Sequence, residues 1–135
     1  MTPPLLVTDT HPFVWYITGQ FQRLPRKVKQ AFDDAVIGKS AIFIPAVVLW
    51  EVSLLIKAGT VRPSVTLDEY VEERFFAKAI SVLDIETDDI LQSHRLNFSR
   101  DPFDVLIVAM AMRVDCPLIT GDGIIHDQRP CKIFW

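Results

Sequence analysis

Cysteine is scarce in this sequence, and none of its hydrophobic runs is long. The two cysteines, Cys116 and Cys131, are too few and too widely spaced for a zinc site or a redox pair. The longest uncharged apolar run, from Ala41 to Trp50, is about half a membrane span and contains a proline. The first residues lack a basic segment leading into a long apolar stretch, so we expect no signal peptide. These absences predict a cytoplasmic protein with reduced thiols and no membrane association.

Positive charge is also in short supply. Fourteen Lys and Arg against seventeen Asp and Glu give a net charge of −3, which argues against binding nucleic acid simply through a basic surface. Contact with phosphates through bound metal ions is still compatible with this charge. Half of the residues are apolar and 23% are charged, which excludes intrinsic disorder. A length of 135 residues without repeats predicts a single domain over residues 1–135.

Short apolar runs alternate with longer amphipathic patterns, which predicts an α/β domain with a central, mainly parallel sheet. The strands are predicted at Leu5 to Thr8, Ala41 to Ile44, Ile80 to Ile85, Leu118 to Thr120 and Lys132 to Phe134. The helices are predicted at His11 to Ile17, from Pro25, at Pro45 to Ala58, Thr66 to Lys78 and Thr87 to Leu96, and from Asp101 to before Pro117. Gly59 is predicted to cap the third of these helices, and Thr66 the fourth.

Glu51 is the most informative residue because it lies inside a strongly apolar helical segment. Its same-face neighbours, three and four residues away, are Val47, Val48, Leu54 and Leu55. The helix therefore offers this carboxylate no cation, and an unpaired buried carboxylate is costly or takes up a proton. Two explanations are open: a structural ion pair with another element, or a metal or catalytic site.

Three aspartates each have a structural interpretation beside a functional one. Asp9 ends the first strand, where it can cap the next helix or face a ligand beyond the sheet. Asp104 lies one turn after Asp101, and both fit an ordinary helix start. Asp104 nevertheless begins an apolar helix that should pack against the sheet, and Asp101 could share its role. Asp122 follows the fourth strand in Thr-Gly-Asp-Gly, where aspartate also forms turns.

The predicted positions of these carboxylates converge. Asp9 and Asp122 follow strand ends on the ligand side of the sheet, while Glu51 and Asp104 lie in the first two turns of helices that leave that side. Without a paired Lys or Arg these groups would repel one another strongly, and divalent cations resolve that repulsion. Hard oxygen ligands suit Mg²⁺, with Mn²⁺ as an alternative. Such ions activate water and stabilise charge at a phosphodiester, so the residues predict metal-dependent phosphoryl hydrolysis.

Five segments carry a resemblance to a known family. In order, they are LLVTDTHPFVW, IPAVVLWEVSLLIKAG, RDPFDVLIVAMA, LITGD and the closing IFW. Together they cover nearly the whole chain and resemble the PIN-domain nucleases, and among them the VapC-like toxins of bacterial toxin–antitoxin pairs. The sequence departs from similar ones at Val105, where arginine is common, and at residues 123–125, which are less polar than usual.

The resemblance implies a three-layer α/β/α fold. It also implies that Asp9, Glu51, Asp104 and Asp122 line one acidic pocket and are the catalytic residues. Metal would be held chiefly by Asp9 and Asp104, with Glu51 close by and Asp122 orienting water or a second ion. The implied activity is that of a Mg²⁺-dependent endoribonuclease that cuts RNA and is silenced by a cognate antitoxin. Members of this type are commonly homodimers.

Two other functions are compatible with parts of this sequence. A catalytically degenerate PIN module would only bind its partner. A receiver-type signalling domain would use Asp9 as a metal ligand, Asp84 as phosphoacceptor, and Thr120 with Lys132 as a switch pair. The receiver interpretation leaves Glu51 buried without a role. An aspartyl phosphatase is excluded, because His11 occupies the position of the second aspartate that it needs.

Overall fold

Five parallel strands form one sheet in the order β3-β2-β1-β4-β5. The computed structural model describes residues 4–75 and 79–135. Its strands are β1 (Leu5–Thr8), β2 (Ala41–Pro45), β3 (Ile80–Leu83), β4 (Leu118–Ile119) and β5 (Ile133–Phe134). All five strands of the sequence prediction are present, although β3 and β4 end earlier than predicted, at Leu83 and Ile119.

Helices flank this sheet and complete the three-layer α/β/α arrangement. They are α1 (Thr10–Ile17), α2 (Arg26–Val36), α3 (Ala46–Lys57), α4 (Leu67–Glu69), α5 (Thr87–Arg95), α6 (Pro102–Val114) and α7 (Gly123–Gln128). A 3₁₀ turn at Phe21–Arg23 and a π-helical segment at Tyr70–Phe75 supplement them. Throughout the described ranges, each helix is too short or too polar to cross a bilayer.

Most helix boundaries follow the predicted signals. Pro25 and Pro45 immediately precede α2 and α3, because proline tolerates the N-terminal position of a helix. Gly59 follows α3 with a φ of +78°, a left-handed conformation that glycine adopts without strain. The hydroxyl of Thr66 accepts a hydrogen bond from the backbone N–H of Glu69, which confirms its capping role.

The predicted helix from Thr66 to Lys78 is present over residues 67–75, but only its first part is α-helical. Helix α4 ends at Glu69, the chain then widens into the π-helical segment, and residues 76–78 lie outside the described ranges. Tyr70, at the start of that segment, is 4% exposed and its hydroxyl donates to the carbonyl of Ile17 on α1. Such a long-range contact is invisible to a local pattern.

Helix α7 was not predicted, because Asp122 and the two glycines beside it suggested only a turn. In the structure the Asp122 side chain accepts from the backbone N–H of Ile125 and caps this helix. The helix is short and places Ile125 in the core. Cys116 is buried and Cys131 is partly buried, and neither is in a disulfide.

The order of the strands creates a crevice at one edge of the sheet. The chain moves outward from β1 to β2 and β3, then returns through α5 and α6 to the other side of β1 and continues to β4 and β5. The direction of winding therefore reverses between β1 and β4. Open parallel sheets bind ligands beyond the carboxyl ends of the strands at such a reversal.

The hydrophobic core keeps this edge in place. Strand residues such as Val7, Ile44 and Leu118 are fully buried, and α3 and α6 cover the sheet with Val48 and Ile107, which are also inaccessible. Each such side chain contributes roughly 1.5–3 kcal/mol through burial. The helices that carry Glu51 and Asp104 are therefore held to the sheet by close packing along their apolar faces.

Candidate active site

Asp9 lies directly beyond β1 and is almost completely buried. Its backbone N–H donates to the carbonyl of Ile119 on β4 at 2.9 Å, which extends the pairing of the two strands. Its carboxylate oxygens accept from the backbone N–H of Thr10 at 2.8 Å and from the hydroxyl of Thr120 at 2.7 Å. Burial raises the pKa of Asp9, although both hydrogen bonds oppose that shift. Asp9 thus caps α1 and also lies at the point where the sheet reverses.

Glu51 lies in the second turn of α3, about half-buried, facing the same edge. Its carboxylate accepts a hydrogen bond from the hydroxyl of Thr10. Burial raises the pKa of Glu51, and the negative charges of Asp9 and Asp101 raise it further. Among residues 4–72 and 79–135, whose side chains the structure describes, no Lys or Arg forms an ion pair with Glu51. The ion pair that a purely structural role required is therefore missing from the described part of the chain.

The start of α6 contributes two carboxylates with different surroundings. Asp101 is exposed and caps the helix: its side chain accepts from the backbone N–H groups of Phe103 at 2.9 Å and Asp104 at 3.4 Å. Asp104 lies in the first turn and is less exposed than Asp101. The geometry separates the two roles, because Asp101 organises the helix terminus while the side chain of Asp104 has no described hydrogen-bond partner.

Asp122 is linked to Asp9 through a single hydroxyl. Thr120 Oγ1 donates to the carboxylate of Asp9 and accepts from the backbone N–H of Asp122 at 3.1 Å. One oxygen of the Asp122 carboxylate caps α7. The negative charge of Asp122 nevertheless raises the pKa values of Asp9 and Asp104, so the three carboxylates interact electrostatically.

The pKa of Asp104 is strongly raised. Burial is the largest cause, and the charges of Asp9, Asp101, Asp122 and Glu51 add to it, raising the pKa to about 7. Close carboxylates disfavour one another's ionised forms, and a neighbouring cation reverses that effect. The structure therefore brings together all four residues that the sequence predicted, as a set of mutually repelling carboxylates, with Asp101 as a fifth member.

Asp101, Asp104 and Asp122 border an open groove of about 610 Å³. It is lined by residues 97–101, Asp104, Asp122 and Ile124. These residues belong to the loop between α5 and α6, to the start of α6 and to the start of α7. Asp9 and Glu51 do not line this groove, but their charges act on Asp104 from the strand end and from α3.

The donor set fits a hard divalent cation by its chemistry. Carboxylate oxygens are the preferred ligands of Mg²⁺ and Mn²⁺, and the hydrogen bonds described here leave these carboxylates with lone pairs for a cation. The hydroxyls of Thr10 and Thr120 fix the orientation of the carboxylates, as groups around metal ligands commonly do. Across residues 4–75 and 79–135, no three His, Cys, Asp or Glu side chains are close enough together to coordinate one ion as they stand.

The chain belongs to the PIN domain family, which it matches over residues 6–129. No curated protein matches the sequence. One solved structure with a similar fold is VapBC2 from Rickettsia felis bound to a DNA fragment from its promoter, with a TM-score of 0.65 and 14% identity, covering 96% of this chain and 97% of that chain. Another is a toxin–antitoxin complex from Klebsiella pneumoniae, with a TM-score of 0.61 and 18% identity, covering 95% and 99%. The predicted family and fold class are confirmed.

The receiver-type alternative does not assemble in this fold. Asp84 follows β3 at the edge of the sheet, and β2 separates that strand from β1 and Asp9. Lys132 pairs with Asp115 at 3.0 Å, while Thr120 bonds to Asp9. The proposed phosphoacceptor and its switch pair therefore lie apart, and the PIN assignment replaces that interpretation.

Sequence reasoning missed the groups that orient the carboxylates. Thr10 follows Asp9 directly, and Thr120 lies at the end of the predicted fourth strand. Both threonines can be read from the sequence, but the contact of Thr120 with Asp9 can be inferred only once β1 and β4 are known to be neighbours. The loop that forms one wall of the groove was also missed, since nothing in residues 97–100 alone points to a site.

Proposed function

We propose that this protein is a metal-dependent endoribonuclease that acts as the toxin of a toxin–antitoxin pair. The observation that carries the proposal is the cluster of carboxylates around Asp104, because burial and the charges of these neighbours together raise its pKa to about 7. A stable fold has no structural need for such a cluster. PIN domains are generally nucleases, and a nuclease site needs an anionic centre that concentrates divalent cations.

In the proposal, Asp9 and Asp104 hold the metal, Glu51 supports it, and Asp122 orients water or a second ion. Bound Mg²⁺ or Mn²⁺ would supply an activated water and stabilise the charge that develops at the phosphodiester. The chain's own residues prepare this site: Thr120 and the backbone of Thr10 fix Asp9, and the hydroxyl of Thr10 fixes Glu51. Their carboxylates are thus oriented before a cation arrives.

The toxin part of the proposal is supported by the two structural neighbours, both of which come from toxin–antitoxin complexes. An antitoxin needs an exposed surface that is suited to a protein. On α3 the side chain of Trp50 is 60% exposed and that of Leu54, one turn on, is 41% exposed. Exposed apolar groups of this kind mark protein interfaces when they cluster.

We also propose a homodimer, which sedimentation of the purified protein will test.

Incubation of the purified chain with a mixed cellular RNA pool tests the function. Separate reactions contain Mg²⁺, Mn²⁺ or EDTA. We expect RNA fragments with either metal and none with EDTA, and we expect the fragments to carry 5′-phosphate and 3′-hydroxyl ends. The cut sites identified by end mapping then name the substrate.

Two results would contradict this proposal. Intact RNA with every metal, from protein shown to be folded by circular dichroism, would favour a degenerate PIN module that only binds a partner. Cleavage that continues in EDTA would exclude metal dependence. Induced expression in a bacterial host tests the toxin role separately, since a toxin arrests growth and an ordinary processing nuclease does not.

A further inference from the structure

Arg100 lies in the acidic groove without an acidic partner. It lines the groove together with Asp101, Asp104 and Asp122, yet its exposed guanidinium forms no ion pair with any of them in the described part of the chain. The charges that shift the pKa of Asp104 are all carboxylates. An exposed arginine that lines a groove with several carboxylates and pairs with none of them has donors available for a different anion.

The loop that carries Arg100 is fixed on both sides. Phe98 is partly buried and packs against the core. The hydroxyl of Ser99 accepts from the backbone N–H of Asp101 at 3.1 Å, which ties the loop to the start of α6. Arg100 is therefore held beside Asp104 by its neighbours along the chain. Among the groove-lining residues that the structure describes, Arg100 is the one with a positive charge. At position 105, where similar sequences commonly have arginine, α6 has a buried, apolar valine.

We propose that Arg100 binds a backbone phosphate of the RNA and that Ile124 contacts the adjacent ribose or base. This inference rests on the proposed nuclease function and assigns the substrate contacts of the same site. Guanidinium groups bind phosphate through paired N–H donors with a geometry that lysine does not reproduce. Ile124 is 49% exposed and lines the same groove, so it offers apolar surface to a ligand that Arg100 binds.

Binding is measured with a short, fluorescein-labelled RNA of mixed sequence, in Ca²⁺ and at several KCl concentrations. Arg100→Ala is expected to raise the Kd roughly tenfold, as for loss of one charged hydrogen-bonded contact. The slope of log K against log salt should fall in magnitude by about 0.7, because one phosphate contact to a single strand is lost. Arg100→Lys should restore the salt slope and only part of the affinity.

Two further variants separate charge from contact. Ile124→Ser is expected to raise the Kd without changing the salt slope, since it removes apolar surface and no charge. Arg62→Ala removes an exposed arginine outside the groove and has the same effect on net charge. It should bind as the parent does. Thermal unfolding of each variant checks that the fold is intact.

The inference is overturned if Arg100→Ala keeps the parent's Kd and salt slope, if Arg62→Ala changes them equally, or if the parent binds no RNA. Its failure is distinct from failure of the nuclease proposal. RNA cleavage by an Arg100→Ala protein with parental KM would reject the phosphate contact and retain the nuclease. If the parent binds RNA through Arg100 but cleaves none, the phosphate contact is retained and the nuclease proposal is rejected.

Discussion

Replacing Asp104 by asparagine is expected to remove RNA cleavage and at the same time stabilise the metal-free protein. Asparagine keeps the size of the side chain and removes the charge that a divalent cation needs. We expect cleavage to fall by at least about 100-fold, in line with the loss of a group that acts directly in the catalytic site. Initial rates on labelled RNA in Mg²⁺ give this number.

The stability gain follows from the pKa of Asp104, which is raised from 3.8 to about 7. Between these values the folded protein holds a proton that the unfolded chain has released, so the free energy of unfolding falls as pH rises from about 4 to about 7. Above that range the ionised carboxylate destabilises the fold. The Asp104→Asn variant has no carboxylate to ionise at this position, so its free energy of unfolding does not fall in this way. At about pH 8 we expect the variant to be roughly 1–3 kcal/mol more stable than the parent, a range reduced from the full pKa shift because Asp104 is partly exposed to solvent.

Urea unfolding in EDTA at about pH 4 and about pH 8 measures this effect. The two proteins should differ little at the lower pH, and Mg²⁺ should stabilise the parent more than the variant. Asp84→Asn is the matched control, since Asp84 is exposed beside the edge strand β3. It should change neither cleavage nor stability. A variant at Asp104 that cleaves normally, or one that is less stable at the higher pH, would contradict the assignment.

Arg113→Ala is expected to destabilise the fold by about 3–5 kcal/mol. Arg113 on α6 pairs with Asp89 on α5 at 2.7 Å and with Glu86 at 3.2 Å, and it donates to the carbonyl of Asp84 at 3.0 Å. The Asp89 side chain is completely buried. Removing the arginine leaves this carboxylate without its cation, and breaking a buried pair from one side costs about that much.

The midpoint of urea unfolding measures the loss, with the m-value as a check that the unfolding reaction is unchanged. Arg95→Ala is the control, because Arg95 is exposed on α5 and contacts only Gln92 among the described residues. It should change stability by less than about 0.5 kcal/mol. A loss below about 1 kcal/mol for Arg113→Ala would mean that the pair does not hold α5 to α6.

The fold was predictable because its signals are local and agree with one another. Short apolar strands, prolines ahead of helices and glycine after α3 each specify a boundary without reference to the rest of the chain. The failures occurred where tertiary contacts decide the structure. Tyr70 is buried against α1 where the pattern suggested a regular helix, and Asp122 caps a helix that depends on placing Ile125 in the core.

The site was predictable to a lesser degree. Glu51 and Asp104 could be singled out because a carboxylate in an apolar helix has a cost that needs an explanation. Their closeness to Asp9 depends on the strand order, which places β1 between β2 and β4, and a sequence pattern does not contain that order. The hydroxyl of Thr10 bridging toward Glu51, and the position of Arg100, follow from the same assembly.

The measurement that tests the central claim most directly compares the parent with Asp9→Asn on one RNA pool. Both proteins are purified identically and assayed with Mg²⁺ and with EDTA. The account predicts that the parent cleaves RNA only with Mg²⁺ and that the variant, although folded, does not cleave. Equal cleavage by the two proteins would contradict the account, because the activity would then not depend on the carboxylate of Asp9, which directly follows β1.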